Sequence, residues 1–250
     1  MILGLVEHDR GKVSGGSWEM LTFGRHLAEQ QGCPLHAVII GNGARPLAES
    51  LQAYGVTAAY LVEHERLDDY APEAWAQSVV EVIATTNPQA VMAPGSDRGH
   101  EVMAHVAART GLPLAANCTD VALGDPCRVT RLRWGGSLLE EAQFQGSPAL
   151  VTIAEHVVEA RQAPADELTI HEIAPTLADA DLRVRLVERV EAAGGRVSPA
   201  EARVVVGGGR GVGSAEGFQA LEELAELLGG AVGCSRAVTS LGWRPHADQI

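Results

Sequence analysis

The residues best suited to chemistry are two arginines set in glycine-rich turns. The first lies in Val204-Val205-Val206-Gly207-Gly208-Gly209-Arg210-Gly211-Val212-Gly213, where a short β-forming run enters the turn. Consecutive glycines accept positive φ angles and let backbone amides approach an anion closely. A helix starting just beyond adds its unpaired N–H groups and the positive end of its dipole. In such a turn Arg210 has no helical stem to pack along, and its rigid fork matches phosphate or carboxylate oxygens. The second constellation is Gly233-Cys234-Ser235-Arg236, which follows the apolar pair Ala231 and Val232. Ser235 offers a hydroxyl and Arg236 a charged donor. If the two runs are neighbouring parallel strands, both arginines meet at the carboxyl edge of a sheet, where open α/β folds hold their ligands. The chemistry indicated is recognition of a phosphate or a dinucleotide.

The spacing is not the standard fingerprint. From Gly209 it reads Gly-Arg-Gly-Val-Gly-Ser rather than GxGxxG, and no Walker lysine follows. The alternative reading of these residues is a tight turn needed for packing, carrying a solvated arginine. Ser214 is placed to cap the next helix, although Gly217 three residues later makes no capping box. A further turn, Ser96-Asp97-Arg98-Gly99-His100-Glu101, follows a strand-like run and opens a helix; it reads as an anion site, a domain contact or an ordinary capped turn. His8, His64, His105, His156 and His246 have no metal-binding spacing, and no nucleophile elbow or acid–base pair stands out.

Two α/β layers must position these groups. Residues 2–6, 35–40, 58–62 and 90–93 read as strands. Helical faces fall at Trp18, Leu21, Phe23 and Leu27, around Leu47, Leu51 and Tyr54, at Trp75, Val79, Val82 and Ile83, and over 101–109. Such β–α alternation predicts a mostly parallel sheet covered by helices. Residues 114–123, 127–134 and 150–153 read as strands with short connections, expected as antiparallel additions, and 135–146 has no clear assignment. Residues 161–166 read as linker, 168–173 as a connecting strand, and 181–187 as a half-exposed strand from its alternating charges. Gly194-Gly195 then breaks the chain. The expected organisation is an N-terminal α/β domain over 1–165, a linker with connecting strands over 166–195, and a second α/β domain over 196–250. With about two β–α elements before Ile250, that second domain is expected to be an incomplete doubly wound (flavodoxin- or Rossmann-like) fold.

Composition narrows the function classes. Of the 250 residues 46% are hydrophobic, enough for a substantial core, and the formal charge of −13 opposes general binding to nucleic acid or an anionic membrane. The four cysteines, Cys33, Cys118, Cys127 and Cys234, form no CxxC pair and suit a reducing compartment. No run reaches membrane-spanning length and the first residues lack a signal-peptide pattern, so a cytoplasmic protein without membrane insertion is expected.

The chain resembles the α subunit of electron transfer flavoproteins from end to end. The resemblance rests on 204–214, on 231–237, and on Gly242-Trp243-Arg244-Pro245-His246-Ala247-Asp248-Gln249-Ile250. Support comes from Leu5-Val6-Glu7-His8-Asp9-Arg10-Gly11-Lys12-Val13, Ala93-Pro94-Gly95-Ser96-Asp97-Arg98-Gly99 and Trp134-Gly135-Gly136-Ser137-Leu138. It implies a heterodimer with a β subunit, one FAD held mainly by the second domain, and AMP in the β subunit. The first domain would contact that subunit. Electrons would pass from a dehydrogenase donor to a quinone-reductase-type or other acceptor, without independent substrate turnover. By resemblance Arg210, with Gly209 and Gly211 beside it, belongs to the FAD pocket. Ser235 would touch the cofactor, and Arg236 would place its guanidinium near the isoalloxazine ring. A cation there favours the negatively charged reduced ring over the neutral oxidised one. The family continues with a Gly-Gln-Thr-Gly loop absent from these 250 residues, so this polypeptide is expected to bind FAD weakly or not at all. Val151-Thr152-Ile153-Ala154-Glu155-His156 stands where an arginine-containing strand end is usual, and Cys234 where alanine is usual. Two other readings remain: a nucleotide-dependent enzyme built on the first domain, and a structural subunit without cofactor.

Overall fold

Strict alternation along Ile2–Val6 (β1) sends Ile2 and Val6 into one buried cluster and Leu3 and Leu5 into another, one on each face of a sheet. The computed structural model describes residues 1–9, 11–67, 69–186, 199 and 202–250, and the chain divides into two compact units, Met1–Val187 and Glu188–Ile250. The expected break at Gly194-Gly195 lies outside the described residues.

In the first unit β1 leads through a two-residue hairpin, His8–Asp9 (β2) with Lys12–Val13 (β3), into the helix Gly15–Gln30 (α1). Ser14 caps α1 by accepting the Ser17 amide at 3.1 Å. Leu35–Ile40 (β4) follows, then a short helix Arg45–Ala48 (α2) that tightens into a 3-10 turn through Glu49–Tyr54. Val56–Val62 (β5), the helix Pro72–Thr86 (α3), Ala90–Pro94 (β6) and the helix Asp97–Thr110 (α4) complete the alternation. Met20, Leu21 and Leu27 of α1 seal one face of the sheet; Val79 and Val82 of α3 and Val102, Met103 and Val106 of α4 seal the other.

The remaining strands of this unit are Leu114–Ala122 (β7), Cys127–Arg133 (β8), Leu138–Phe144 (β9), Ala149–Ile153 (β10) and Thr169–Ile173 (β11). The nine-stranded order is β11-β5-β4-β1-β6-β10-β7-β8-β9. Within it the β7–β8 and β8–β9 pairings are antiparallel and the others parallel. The expectation for 114–123 and 150–153 is therefore corrected: β10 inserts between β6 and β7, parallel to both. Its unbroken burial is that of a strand covered on two faces, not of an edge addition. The unassigned stretch 135–146 contains β9.

Residues 161–166 do not hang free. The amides of Arg161, Ala163 and Ala165 donate to Thr22 Oγ1, Ala53 O and Gln52 O at 2.9–3.0 Å. The chain is thereby strapped along the first unit before β11 joins β5 in parallel. The half-exposed strand expected at 181–187 is also corrected over its described part, where Asp179–Leu182 is a 3-10 turn. Its charges are used inward: Asp181 accepts from Arg109 at 2.6 Å and from the Ala178 amide at 2.9 Å, and Arg183 donates to Glu73 at 3.1 Å.

The second unit has Val205–Gly208 (β12), the helix Gln219–Leu227 (α5), Ala231–Cys234 (β13) and the helix Arg236–Ser240 (α6). Its small core gathers Phe218, Ala225, Val232, Cys234 and Val238. Gln249 bridges Cys234 in parallel, and the Ile250 amide donates to Cys234 O at 3.0 Å, so the final residues lie beside β13. The architecture is α/β, with a mixed, mostly parallel sheet in the first unit and a parallel pair in the second.

Candidate functional site

Parallel pairing of β12 with β13 runs Val205↔Ala231, Val206↔Val232, Gly207↔Gly233 and Gly208↔Cys234. Both strands therefore end at the same level. Gly209 and Arg210 follow one, Ser235 and Arg236 the other, and the Ser235 amide donates across the gap to Gly208 O at 3.0 Å. A Cβ placed on Gly209 would stand 3.8 Å from Ser235 Oγ, so the two turns are immediate neighbours. All five residues singled out in the sequence, Gly209, Arg210, Gly211, Ser235 and Arg236, fall at this one edge.

The turn after β12 is a single 3-10 turn, Arg210–Val212. A Cβ on Gly211 or Gly213 would meet nothing within 4 Å, so the space over the turn is open. Arg210 and Arg236 are exposed, and among the described residues neither guanidinium has a side-chain partner. Two unpaired cations beside glycine backbone at a carboxyl edge suit an anionic dinucleotide, whose phosphates need neutralising and whose backbone approach needs room. Ser214 does cap locally: its hydroxyl accepts the Gly217 amide at 3.3 Å, ahead of a 3-10 turn at Glu216–Phe218.

The Ser96–Glu101 turn has a different character. It lies at the carboxyl end of β6, beside the end of β1, where the strand order reverses direction. Ser96 caps α4 by accepting the Gly99 amide at 2.9 Å, and its hydroxyl donates to Glu7 Oε1 at 2.7 Å. Glu7 follows β1 and is buried, so the chain's own carboxylate fills the space before α4. Arg98 lies over the Tyr70 ring, and Tyr70 donates to Glu101 at 2.7 Å. These groups satisfy one another, which gives no support to a nucleotide-dependent enzyme on this unit. Sequence reasoning passed over Glu7; its signal was an acid at the end of an otherwise apolar strand.

Burial is the main cause that lifts Glu7 from 4.5 to about 6, against the opposing Ser96 hydrogen bond and the Arg98 charge. The folded pKa thus exceeds the unfolded one, and the folded state holds the extra proton between them. The stability linked to that proton is complete below pH 4.5 and lost as pH rises through about 6. The loss amounts to about 2 kcal/mol. Glu7→Gln retains an acceptor for Ser96 and is expected to be more stable than the parent above pH 7, with no advantage at pH 4.5. Urea unfolding of both proteins at the two pH values measures this, and parallel stability profiles would refute it.

Among the described residues no cluster of three or more His, Cys, Asp or Glu is placed to hold a metal. All four cysteines are free thiols; burial pushes Cys118 up to about 12, away from nucleophilic use. No helix among the described residues is long and apolar enough to cross a membrane.

Comparison with known proteins agrees with this division. The model of the electron transfer flavoprotein domain matches residues 2–178, and that of the electron transfer flavoprotein FAD-binding domain matches residues 199–250. The electron transfer flavoprotein subunit alpha of Megasphaera elsdenii is 31% identical over 253 residues, covering 98% of this chain and 75% of the relative. Protein FixB of Bradyrhizobium diazoefficiens is 33% identical over 255 residues, covering 98% and 69%. The electron transfer flavoprotein subunit alpha of Mycobacterium leprae is 32% identical over 250 residues, covering 98% and 76%.

Proposed function

Because this chain belongs to the electron transfer flavoprotein α-subunit family, we propose that its second unit holds FAD at the shared carboxyl edge of β12 and β13. The protein is an electron-carrier subunit that pairs with a β subunit and binds FAD, without turnover of a substrate of its own. When bound, the flavin supplies the chemistry, accepting electrons at its ring and releasing them again.

In our reading Arg210 neutralises cofactor phosphate, while Gly209 and Gly211 let the backbone approach it. Ser235 contributes a hydroxyl hydrogen bond from the neighbouring turn. Arg236 sets a positive charge beside the ring. AMP belongs to the β partner, electrons arrive from a dehydrogenase, and they leave to a quinone-reductase-type acceptor. The second unit is in this view of the doubly wound kind, with 1–165 facing the β subunit and 166–195 linking the two. The observation that supports the site most directly is the Gly208↔Cys234 register, which sets the two arginine turns side by side. The test is co-purification with the β subunit. With FAD supplied in excess, since these 250 residues are expected to hold it weakly, a flavin spectrum in the complex that Arg210→Ala diminishes is the expected result. A complex that takes up no FAD even at saturating cofactor, or nucleotide hydrolysis by the chain alone, would overturn the reading.

A further inference from the structure

Arg244 is more enclosed than either arginine of the site. Its side chain is 13% exposed, its Nη1 donates to Glu222 Oε1 and its Nε to Asp248 Oδ2, each at 2.7 Å. Glu222 lies on α5 and Asp248 in the closing 3-10 turn, so one guanidinium joins two elements that are distant in sequence. The same guanidinium sits over the Phe218 ring, 5.3 Å from its centroid. Phe218 is 1% exposed, and its edge presses on Gly208: a Cβ there would clash with the ring edge, 2.8 Å from Phe218 Cζ, and stand 2.7 Å from Leu221 Cδ1. Gly208 is the last residue of β12, two positions before Arg210. Asp248 immediately precedes Gln249, which bridges Cys234 and accepts from Thr239 Oγ1 at 3.1 Å. Contacts from Arg244 thus lead to both strand ends that bear the paired turns.

We propose that Arg244 is a positioning residue for the flavin edge: through Phe218 and Asp248 it fixes the ends of β12 and β13, and so the mutual placement of Arg210 and Arg236. A planar fork is needed, because two carboxylates and a ring face are engaged at once. The consequence for cofactor affinity rests on the FAD reading above; the consequence for the backbone does not.

Amide hydrogen exchange on the full chain tests the backbone claim without cofactor. Arg244→Met, close in length and uncharged, is expected to speed exchange in 208–213 and 235–236 at least tenfold. Leu227→Gly, at the exposed last position of α5 and away from Glu222 and Phe218, serves as a control that frays the helix end, and its effect is expected to stay within that end. In the complex with the β subunit, Arg244→Met is expected to weaken FAD binding by at least tenfold, and Arg244→Lys not to rescue it. Unchanged exchange at 208–213, or equal acceleration there by Leu227→Gly, would overturn the proposal. A wild-type complex that binds no FAD while the exchange difference persists would sink the flavin reading and leave the clamp standing. Should Arg244→Met fail to fold, Asp248→Asn carries the same exchange test with the guanidinium and its Glu222 contact retained.

Discussion

Arg236→Ala in the α–β complex is expected to lower the first reduction potential of the bound flavin by roughly 60–130 mV. That range corresponds to losing a charge-assisted interaction of about 1.5–3 kcal/mol with the reduced ring, at about 59 mV per tenfold for one electron. The sign follows from charge: a cation stabilises the electron-rich form more than the neutral one, so its removal disfavours the first electron. Arg236 opens α6 and is exposed, so little folding stability depends on its side chain and the potential isolates its electrostatic role. Arg236→Lys should retain part of the effect, because charge survives while the fork is lost. Redox titration of the three complexes decides it, and equal potentials would remove Arg236 from the ring's surroundings.

The largest expected effect on stability is at Gly99, in the first turn of α4. A Cβ there would fall onto the Pro94 carbonyl and come within 2.9 Å of Glu7 Oε1. The carbonyl belongs to the end of β6 and has no freedom to yield, and the carboxylate is held by Ser96. Gly99→Ala is therefore expected to cost the first unit about 3 kcal/mol or more, as overpacking against a fixed neighbour does. Calorimetry should register a lowered melting temperature, on the order of 6–12 °C for a unit of this size. A change under about 1 kcal/mol would show that α4 shifts freely against β6.

How much of this was legible in the sequence depended on whether the signal was local. The strands at Val205 and Ala231, their glycine turns and the capped turn at Ser96 were readable, because each is decided by a few adjacent residues. The position of β10 was not: Ala149–Ile153 announces a buried strand, but which neighbours it takes depends on where the β8–β9 excursion returns the chain. β9 was obscured by Glu140 and Glu141, whose charges left the stretch without an assignment; Glu140 lies across from Arg131 and accepts from it at 2.6 Å. Arg244 gave no signal as a clamp, since one of its carboxylates lies 22 residues away. The juxtaposition of Arg210 with Arg236 needed only one assumption beyond local propensity, that the two strands are parallel neighbours.

The strap over 161–166 and the edge strand that follows it bear on how the molecule can be dissected. A fragment ending at residue 165 would strip β5 of its outer neighbour and bare a row of backbone donors and acceptors along hydrophobic Val56–Val62. Such bared borders self-associate. Anyone isolating the first unit should cut beyond Ile173, and material cut earlier should be checked for clumping before its failure to pair with a β subunit is given meaning.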